Sequence, residues 1–355
     1  ATKKERAAQA RDLLGVVLPG VARERVALDD HVVPVRDDLV RRLKMYADYG
    51  VTTTVSLGST PADEAAGIAL MQEQEHPGLD RARLYTAGLN AIGKTPEEAR
   101  ASVDRLADLK VFAIKYHING TPNDMTEPTW SAIVDEARKK GLKSSVHVYY
   151  HKDAKASIDA GVNVIAHSIR DQDVTPELIA EMKRKNVAYI PTLTRELSTF
   201  VYESTPAFFA DPFFRREADP ALVAQWQEPA RQAAMRAPPS AQAYKAALVV
   251  AKRNLKRAAD AGVLIAMGTD SGALPERFEG YFEHLELEMM AEAGMTPAAI
   301  LRAATADAAR AMFVKDVGTL TPGAWADFIV LDKNPLTDIR NTRSISSVWI
   351  AGNTV

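Results

Sequence analysis

The most informative absences in this 355-residue sequence are cysteine and an excess of charge of either sign. Without cysteine, disulfide bonds, thiolate metal sites and cysteine nucleophiles are excluded. A formal net charge of −2 provides no field that would gather nucleic acid or an anionic membrane surface. No apolar run reaches the length of about 20 residues that spans a bilayer. We therefore expect a small-molecule substrate and neither a nucleic-acid nor a membrane partner, while a homo-oligomer remains open.

What is present is the composition of an ordinary globular protein, with 46% hydrophobic and 25% charged residues. The length suits one barrel of eight strands with an appendage. The first residues, ATKKERAAQARDLLG, are charged and rich in alanine and contain no signal-peptide core. A leader could have been removed before this numbering begins, so a cytoplasmic and an exported location both remain open.

Helix-like stretches repeatedly end in glycine and continue directly into β-branched residues. Glycine takes the left-handed conformation that ends a helix, so each of these points predicts a helix followed by a strand. Continuous apolar runs are typical of strands that are buried on both faces. The seven predicted strands are 51–57, 83–88, 111–116, 142–148, 162–166, 187–193 and 263–267. We place an eighth upstream of Gly50, in Gly15–Leu18 or Val26–Val33.

This alternation predicts an α/β fold, a (β/α)8 TIM barrel with a small C-terminal β-sandwich remnant. A doubly wound open sheet is the alternative, which is less favoured because no glycine-rich phosphate turn is present. We assign residues 1–315 to the barrel and residues 316–355 to the β appendage. A segment rich in proline and aromatic residues, 195–242, interrupts the barrel after the predicted strand 187–193. It is either a lid or pocket wall, or a packed excursion without ligand contact.

Four polar residues follow apolar runs at or near the ends of predicted strands: Lys115, His147, His167 and Asp270. The carboxyl ends of barrel strands meet at one rim, so these side chains are expected to converge. Two imidazoles and a carboxylate suit zinc and similar divalent ions. The lysine fits beside a cation only if it is deprotonated or if CO2 converts it to a carbamate. A single buried histidine is more often a hydrogen-bonded core residue, but four such residues on four strands favour a site.

These motifs resemble the metal-dependent amidohydrolase superfamily, in its prolidase and imidazolonepropionase-like branch. The similarity runs from about Leu39 to Val355 and includes the closing segments MTPAAILRAATADAARAM and GTLTPGAWADFIVLDKNPLTDI. It implies that Lys115 is the strand-four lysine, often carboxylated on its side-chain nitrogen. It also implies that His147 and His167 are metal ligands and that Asp270 binds metal and handles the proton of the attacking water.

The sequence departs from this family in its first third. The family opens its barrel with a His-x-His pair, and no such pair occurs here; His31 could mimic its first histidine. The N-terminal strands of the family's β-sandwich are also absent. Either the sequence omits segments of a longer protein, or the N-terminal part has been lost or rebuilt. One or two metal ions, most simply Zn²⁺, therefore remain open.

Two further residues are candidates for the catalytic machinery. Tyr149 lies two residues past His147, on the same strand face, and could polarise a carbonyl. Arg170 follows His167 and could clamp a substrate carboxylate, or could form a salt bridge with Asp171 or another rim acid. Ser271 is not a nucleophile candidate, because GTDSG lacks the GxSxG pattern.

The sequence thus predicts a hydrolase that uses metal-activated water to cleave an amide or other C–N bond, with a dipeptide or cyclic amide as substrate. The substrate class is implied by the resemblance alone. Hydrolysis of an ester, lactone or carbamate at the same site is one alternative. A non-catalytic or engineered scaffold without a complete metal site is the other, and the missing His-x-His pair is what favours it.

Overall fold

The structure, a computed structural model, describes residues 35–355. The two segments proposed for an eighth strand, and His31, lie outside these residues. Within the described part, short parallel strands alternate with helices as far as residue 190, and a helical region follows.

The alternating part contains six strands, β1 to β6, and six helices, α1 to α6. The strands are Thr53–Ser56, Arg83–Thr86, Ile114–His117, Ser144–His147, Val164–Ala166 and Ala188–Ile190. The helices are Val35–Asp48, Glu64–Gln72, Pro96–Asp108, Glu127–Lys139, His151–Ala160 and Pro176–Arg184. Gly161, with φ of 98°, ends α5 as the sequence pattern predicts, and β5 begins three residues later.

The later helices, α7 to α13, lie within the predicted insertion and between it and the C-terminal strands. They are Leu193–Ser198, Pro220–Gln227, Pro229–Arg236, Pro239–Asp260, Tyr281–Glu292, Pro297–Ala303 and Ala306–Met312. Short 3₁₀ turns span Val201–Glu203, Ala207–Ala210, Phe214–Arg216 and Ile339–Arg343. The C-terminal strands β7, β8 and β9 are Phe328–Leu331, Ile345–Ile350 and Asn353–Thr354.

The parallel strands are hydrogen-bonded in chain order but in two groups. One sheet pairs β1 with β2, and the other has the order β3-β4-β5-β6. The amide of Phe112 donates to Thr86 O at 2.8 Å, which links the end of β2 to the chain just before β3. Within the described residues these sheets do not close into a complete ring, so the barrel predicted from the sequence is not shown by the sheets themselves.

The predicted strand 263–267 is wrong in its extent, because only a parallel bridge between Tyr189 and Ile265 forms there. The amide of Tyr189 donates to Leu264 O at 2.9 Å, and the amide of Ala266 donates to Tyr189 O at 3.0 Å. The next donor along this ladder would be residue 191, which is proline and has no N–H. The ladder therefore stops after one bridge, although the segment still runs beside β6.

The aromatic residues of the segment 195–242 pack against one another. Tyr202, Phe209, Phe214 and Trp226 are buried in one cluster with Tyr49, which directly follows α1, and with rings at and just before the start of α11. Phe209 and Phe214 stack with ring centroids 5.3 Å apart, and Tyr49 donates a hydrogen bond to Phe214 O at 2.9 Å. These rings form a second hydrophobic core beside the strands. Both predictions for the segment, a lid or pocket wall and a packed excursion without ligand contact, stay predictions.

The C-terminal segment forms a three-stranded antiparallel sheet in the order β7-β8-β9. Arg83 from β2 holds this sheet through a 2.7 Å ion pair with Asp327, and both side chains are buried. The guanidinium carbon of Arg83 also lies 4.2 Å from the ring centre of Trp325. The predicted β appendage is therefore attached to the parallel strands by a buried ion pair. Among residues 35–355, no helix has the length and apolarity needed to cross a bilayer.

Candidate active site

Three neighbouring strands present the predicted lysine and histidines at their carboxyl ends. In the parallel register of β3 and β4, Lys115 pairs with Ser145 and His117 pairs with His147. His167 comes directly after Ala166, the last residue of β5, which pairs with His147. Because alternate residues of a strand share a face, Lys115 and His117 lie on the same face of β3. The strands thus bring Lys115, His147 and His167 to one region, as the sequence predicts.

The imidazole rings form a continuous row across these strands. The rings of His117 and His147 stack with centroids 4.8 Å apart, and His147 meets His167 edge to face at 4.5 Å. His117, on the same face of β3 as Lys115, therefore belongs to the row. We call Lys115, His147 and His167 the imidazole half of the site.

Burial favours the uncharged form of each group in the imidazole half. Burial lowers the pKa of His147 and His167 below the ordinary value for histidine, and the positive charge of Arg195 adds to the effect on both. Burial also lowers the pKa of Lys115 to about 8, with Asp270 opposing and Arg195 reinforcing the shift. Neutral imidazoles are the form that binds metal ions.

His167 has a hydrogen-bond partner in the segment that follows β6. Its Nδ1 lies 2.8 Å from Thr192 Oγ1, and both residues are buried. Thr192 itself is in the left-handed region, with φ of 50°, directly before α7. The threonine hydroxyl therefore occupies one ring nitrogen and leaves Nε2 as the nitrogen available to a ligand.

Asp270 lies among guanidinium groups. Arg277 donates a short hydrogen bond to Asp270 Oδ2, and Arg195 Nε lies 3.7 Å from the same oxygen. The backbone of Asp270 is left-handed, with φ of 61°. Arg195 also forms an ion pair with the buried carboxylate of Glu196 at 3.0 Å. We call Asp270, Arg195 and Arg277 the arginine half of the site.

The positive charge of Arg170 is compensated by the carboxylate of Glu196. The Nε of Arg170 lies 2.9 Å from Glu196 Oε2, and the two side chains are 1% and 0% exposed. Arg170 also donates to the carbonyl oxygens of Val148 at 2.9 Å and Ser168 at 2.5 Å. Its guanidinium carbon lies 4.5 Å from the ring centre of Tyr149. Burial raises the pKa of Tyr149, so its phenol stays protonated and can donate a hydrogen bond.

Two buried carboxylates near the site, Glu283 and Glu286, were not identified from the sequence. Both lie on α11, three positions apart, within the segment YFEHLELEMMAE. Acidic residues on the apolar face of a helix are rare without a bonding partner, and this spacing was the available signal. His284, between them, packs inside the protein, with Nε2 2.7 Å from Tyr49 O.

The imidazole half contains part of the set of ligands that a divalent ion requires. Within residues 35–355, no three His, Asp or Glu side chains are arranged to hold a metal ion. Two neutral imidazoles and a lysine of lowered pKa do fit one, provided that Lys115 carries a carboxyl group that supplies oxygen ligands. Ligation by Asp270, whose carboxylate is held by arginines, stays a prediction.

Comparison with known proteins identifies the class of this protein. The amidohydrolase family profile matches residues 43–355. The chain therefore belongs to the amidohydrolase family, which confirms the resemblance drawn from its motifs.

Relatives with known names cover parts of the chain. Ochratoxinase from Aspergillus niger is 30% identical over 227 residues, which is 62% of this chain and 39% of that protein. The match thus spans about two fifths of the length of this curated relative. Imidazolonepropionase from Deinococcus deserti is 36% identical over 104 residues, 28% of this chain and 26% of the relative.

Solved structures share the fold over most of the chain. A putative prolidase from Bifidobacterium longum superposes with a TM-score of 0.71 at 24% identity, covering 90% of this chain and 77% of that one. The structure of A. niger ochratoxinase superposes with a TM-score of 0.67 at 21% identity, covering 90% and 75%. These likenesses place the α/β architecture in the TIM-barrel type of the family.

Proposed function

We propose that this chain is a metal-dependent hydrolase that cleaves an amide or another C–N bond of a small molecule. The observation that carries the proposal is a buried lysine of lowered pKa beside neutral imidazoles at the ends of adjacent parallel strands. Membership of the amidohydrolase family supports the same reaction type. The similarity to a putative prolidase structure supports a dipeptide as substrate, and the similarity to imidazolonepropionase supports a cyclic amide.

In this proposal, Lys115, His147 and His167 hold a divalent cation, and Lys115 does so after carboxylation of its side-chain nitrogen. Zinc suits these donors, in one or two ions. When bound, such an ion acts as a Lewis acid that polarises a carbonyl group and acidifies water. Burial prepares the protein side of this site, because a neutral lysine amine is the form that reacts with CO2 and neutral imidazoles have a free lone pair.

Asp270 is our candidate for proton transfer. Its carboxylate accepts the proton of the attacking water and returns it to the leaving nitrogen. Arg277 and Arg195 hold the carboxylate from one side and restrict its rotation. A restricted base is an advantage, because proton transfer requires a fixed distance and direction to the water molecule.

Tyr149 is our candidate for polarising the substrate carbonyl, since its phenol is protonated and it follows His147, the last residue of β4, by two positions. Arg170 packs against Tyr149 and is paired with Glu196. A direct clamp on a substrate carboxylate would compete with this pairing. We therefore propose that Arg170 acts mainly by holding Tyr149 in place.

The test is metal analysis of the purified protein with and without added Zn²⁺ and bicarbonate, followed by a panel of amides and esters. We expect stoichiometric metal and hydrolysis of amides, with bicarbonate increasing both. Preferential cleavage of esters, lactones or carbamates would replace the C–N reaction by the alternative on the same site. Absence of metal uptake and of hydrolysis under all conditions would show a non-catalytic scaffold and overturn the proposal.

A further inference from the structure

Helix α11 carries two buried carboxylates that bond the neighbours of candidate site residues. Glu283 is 7% exposed and Glu286 is 0% exposed. A buried carboxylate is costly unless hydrogen-bonded groups surround it. The groups that these two carboxylates bond belong to the segments after β6 and around Asp270, so α11 contacts a segment next to each half of the site.

Glu286 organises the backbone that follows β6. It accepts hydrogen bonds from the amides of Leu193 at 2.8 Å and Thr194 at 2.7 Å. It also accepts one from the hydroxyl of Thr194 at 2.8 Å. These bonds hold the start of α7, immediately after the left-handed Thr192 whose hydroxyl meets His167. Glu286 therefore fixes the turn that places a hydroxyl against Nδ1 of His167.

Glu283 organises both neighbours of Asp270. Its Oε1 accepts hydrogen bonds from the hydroxyls of Thr269 at 2.7 Å and Ser271 at 2.5 Å. Tyr46 from α1 adds a contact of 2.9 Å to the hydroxyl of Ser271. Non-glycine residues rarely adopt the left-handed φ of 61° found at Asp270, so neighbouring contacts must maintain it.

We propose that Glu286 and Glu283 are positioning residues, one for each half of the site. Glu286, acting through Thr192, sets which ring nitrogen of His167 faces a ligand, and Glu283, acting through Thr269 and Ser271, sets the direction of Asp270. This inference rests on the proposed function. It separates two effects, because disturbing Glu286 weakens cation binding and disturbing Glu283 slows proton transfer.

The first test compares Glu286→Gln and Thr194→Val with the parent protein in Zn²⁺ titrations at fixed bicarbonate. The glutamine would direct an amide N–H₂ at backbone donors, whereas the valine removes only one hydroxyl donor. We expect Zn²⁺ binding about 10- to 100-fold weaker in Glu286→Gln, the range found for groups that orient metal ligands, and a smaller loss in Thr194→Val. Asp327→Asn is the control, since it weakens a buried ion pair far from this turn.

Equal weakening of Zn²⁺ binding in Glu286→Gln and Asp327→Asn, at matched thermal stability, would show a merely structural role and overturn the inference. Nitrogen-15 NMR of His167 without metal gives a second readout. We expect one tautomer in the parent protein and a mixture in Glu286→Gln and Thr192→Val. An unchanged tautomer in both variants would also overturn it.

The second test concerns Glu283, with Ser271→Ala as the milder variant if Glu283→Gln folds poorly. We expect unchanged Zn²⁺ affinity and KM, a kcat about 10- to 100-fold lower in Glu283→Gln, and a smaller decrease in Ser271→Ala. Loss of Zn²⁺ affinity in step with kcat would contradict the separation of the two roles. If the parent protein binds no metal, the proposed function fails, whereas the His167 tautomer still decides the role of Glu286.

Discussion

The two halves of the candidate site accommodate buried polar groups in opposite ways. In the imidazole half, burial disfavours positive charge, because it lowers the pKa of His147, His167 and Lys115. In the arginine half, charge is kept and compensated, since Asp270 is held by Arg277 and Arg195. A half in which positive charge is disfavoured suits an incoming cation, whereas a half with paired charges suits a fixed base.

The candidate site also differs from a buried ion pair that only joins two parts of the fold. Arg83 and Asp327 are buried as well, but they join β2 to the C-terminal sheet and are not part of the row of histidines. Burial of charge alone is therefore no sign of function in this chain. The sign is burial combined with several groups of different chemistry at adjacent strand ends.

The largest expected effect comes from removing a ligand in the imidazole half. We expect Lys115→Ala and His167→Ala to abolish metal uptake at this position, because two remaining protein donors cannot complete the site. Metal content measured by mass spectrometry after dialysis checks this result. His76→Ala, an exposed histidine on the surface, is the matched control and should keep its metal. Unchanged metal content in both site variants would refute the ligand assignment.

In the arginine half, Asp270→Asn should separate binding from chemistry. We expect the variant to keep most of its metal and to lose about 10²- to 10⁴-fold in kcat, the usual contribution of a positioned acid or base. Steady-state kinetics with the best substrate from the amide panel, together with metal analysis, provides the measurement. A rate close to that of the parent would remove Asp270 from proton transfer.

The compensation of the charges of Arg170 and Arg195 by Glu196 can be tested through the stability of the protein. Glu196→Gln leaves Arg170 and Arg195 without their shared buried counter-charge. We expect the free energy of unfolding to fall by about 3–5 kcal/mol, as found when one member of a buried ion pair is removed. Urea denaturation measures this loss, and Glu181→Gln, in a mostly exposed set of ion pairs, should cost far less. Equal losses in the two variants would contradict the comparison.

The smallest expected effect is the pH dependence that arises from Lys115. Its pKa is lowered from 10.5 in the unfolded chain to about 8 in the fold. Between these values the unfolded chain binds a proton that the folded chain does not, so stability rises with pH. In bicarbonate-free buffer we expect a gain of up to about 3 kcal/mol across that window relative to Lys115→Met. Parallel pH profiles of unfolding for parent and variant would show that the lysine is not desolvated.

Local patterns in the sequence predicted much of this architecture. Glycines after helices and continuous apolar runs identified the strands that carry Lys115, His147 and His167, because both signals depend on neighbouring residues. The extent of the strand at 263–267 was not predictable in this way. It depends on Pro191, which lies on the partner strand and removes a donor from the ladder.

Within the site, the chemical types and their strand-end positions followed from the sequence, and so did the family. The partners of Arg170, the row formed by His117, and the two carboxylates of α11 required the structure. Glu286 and Thr194 are 92 positions apart, and no periodic pattern connects residues at that distance.

The amino-acid sequence by itself determined which groups could do chemistry here and on which side of the strands they stand, since strand alternation is a property of the local backbone. Only the tertiary structure decided which of these groups are charged and which are held in place. Desolvation and ion pairing depend on everything packed around a side chain, and most of those neighbours come from distant parts of the chain.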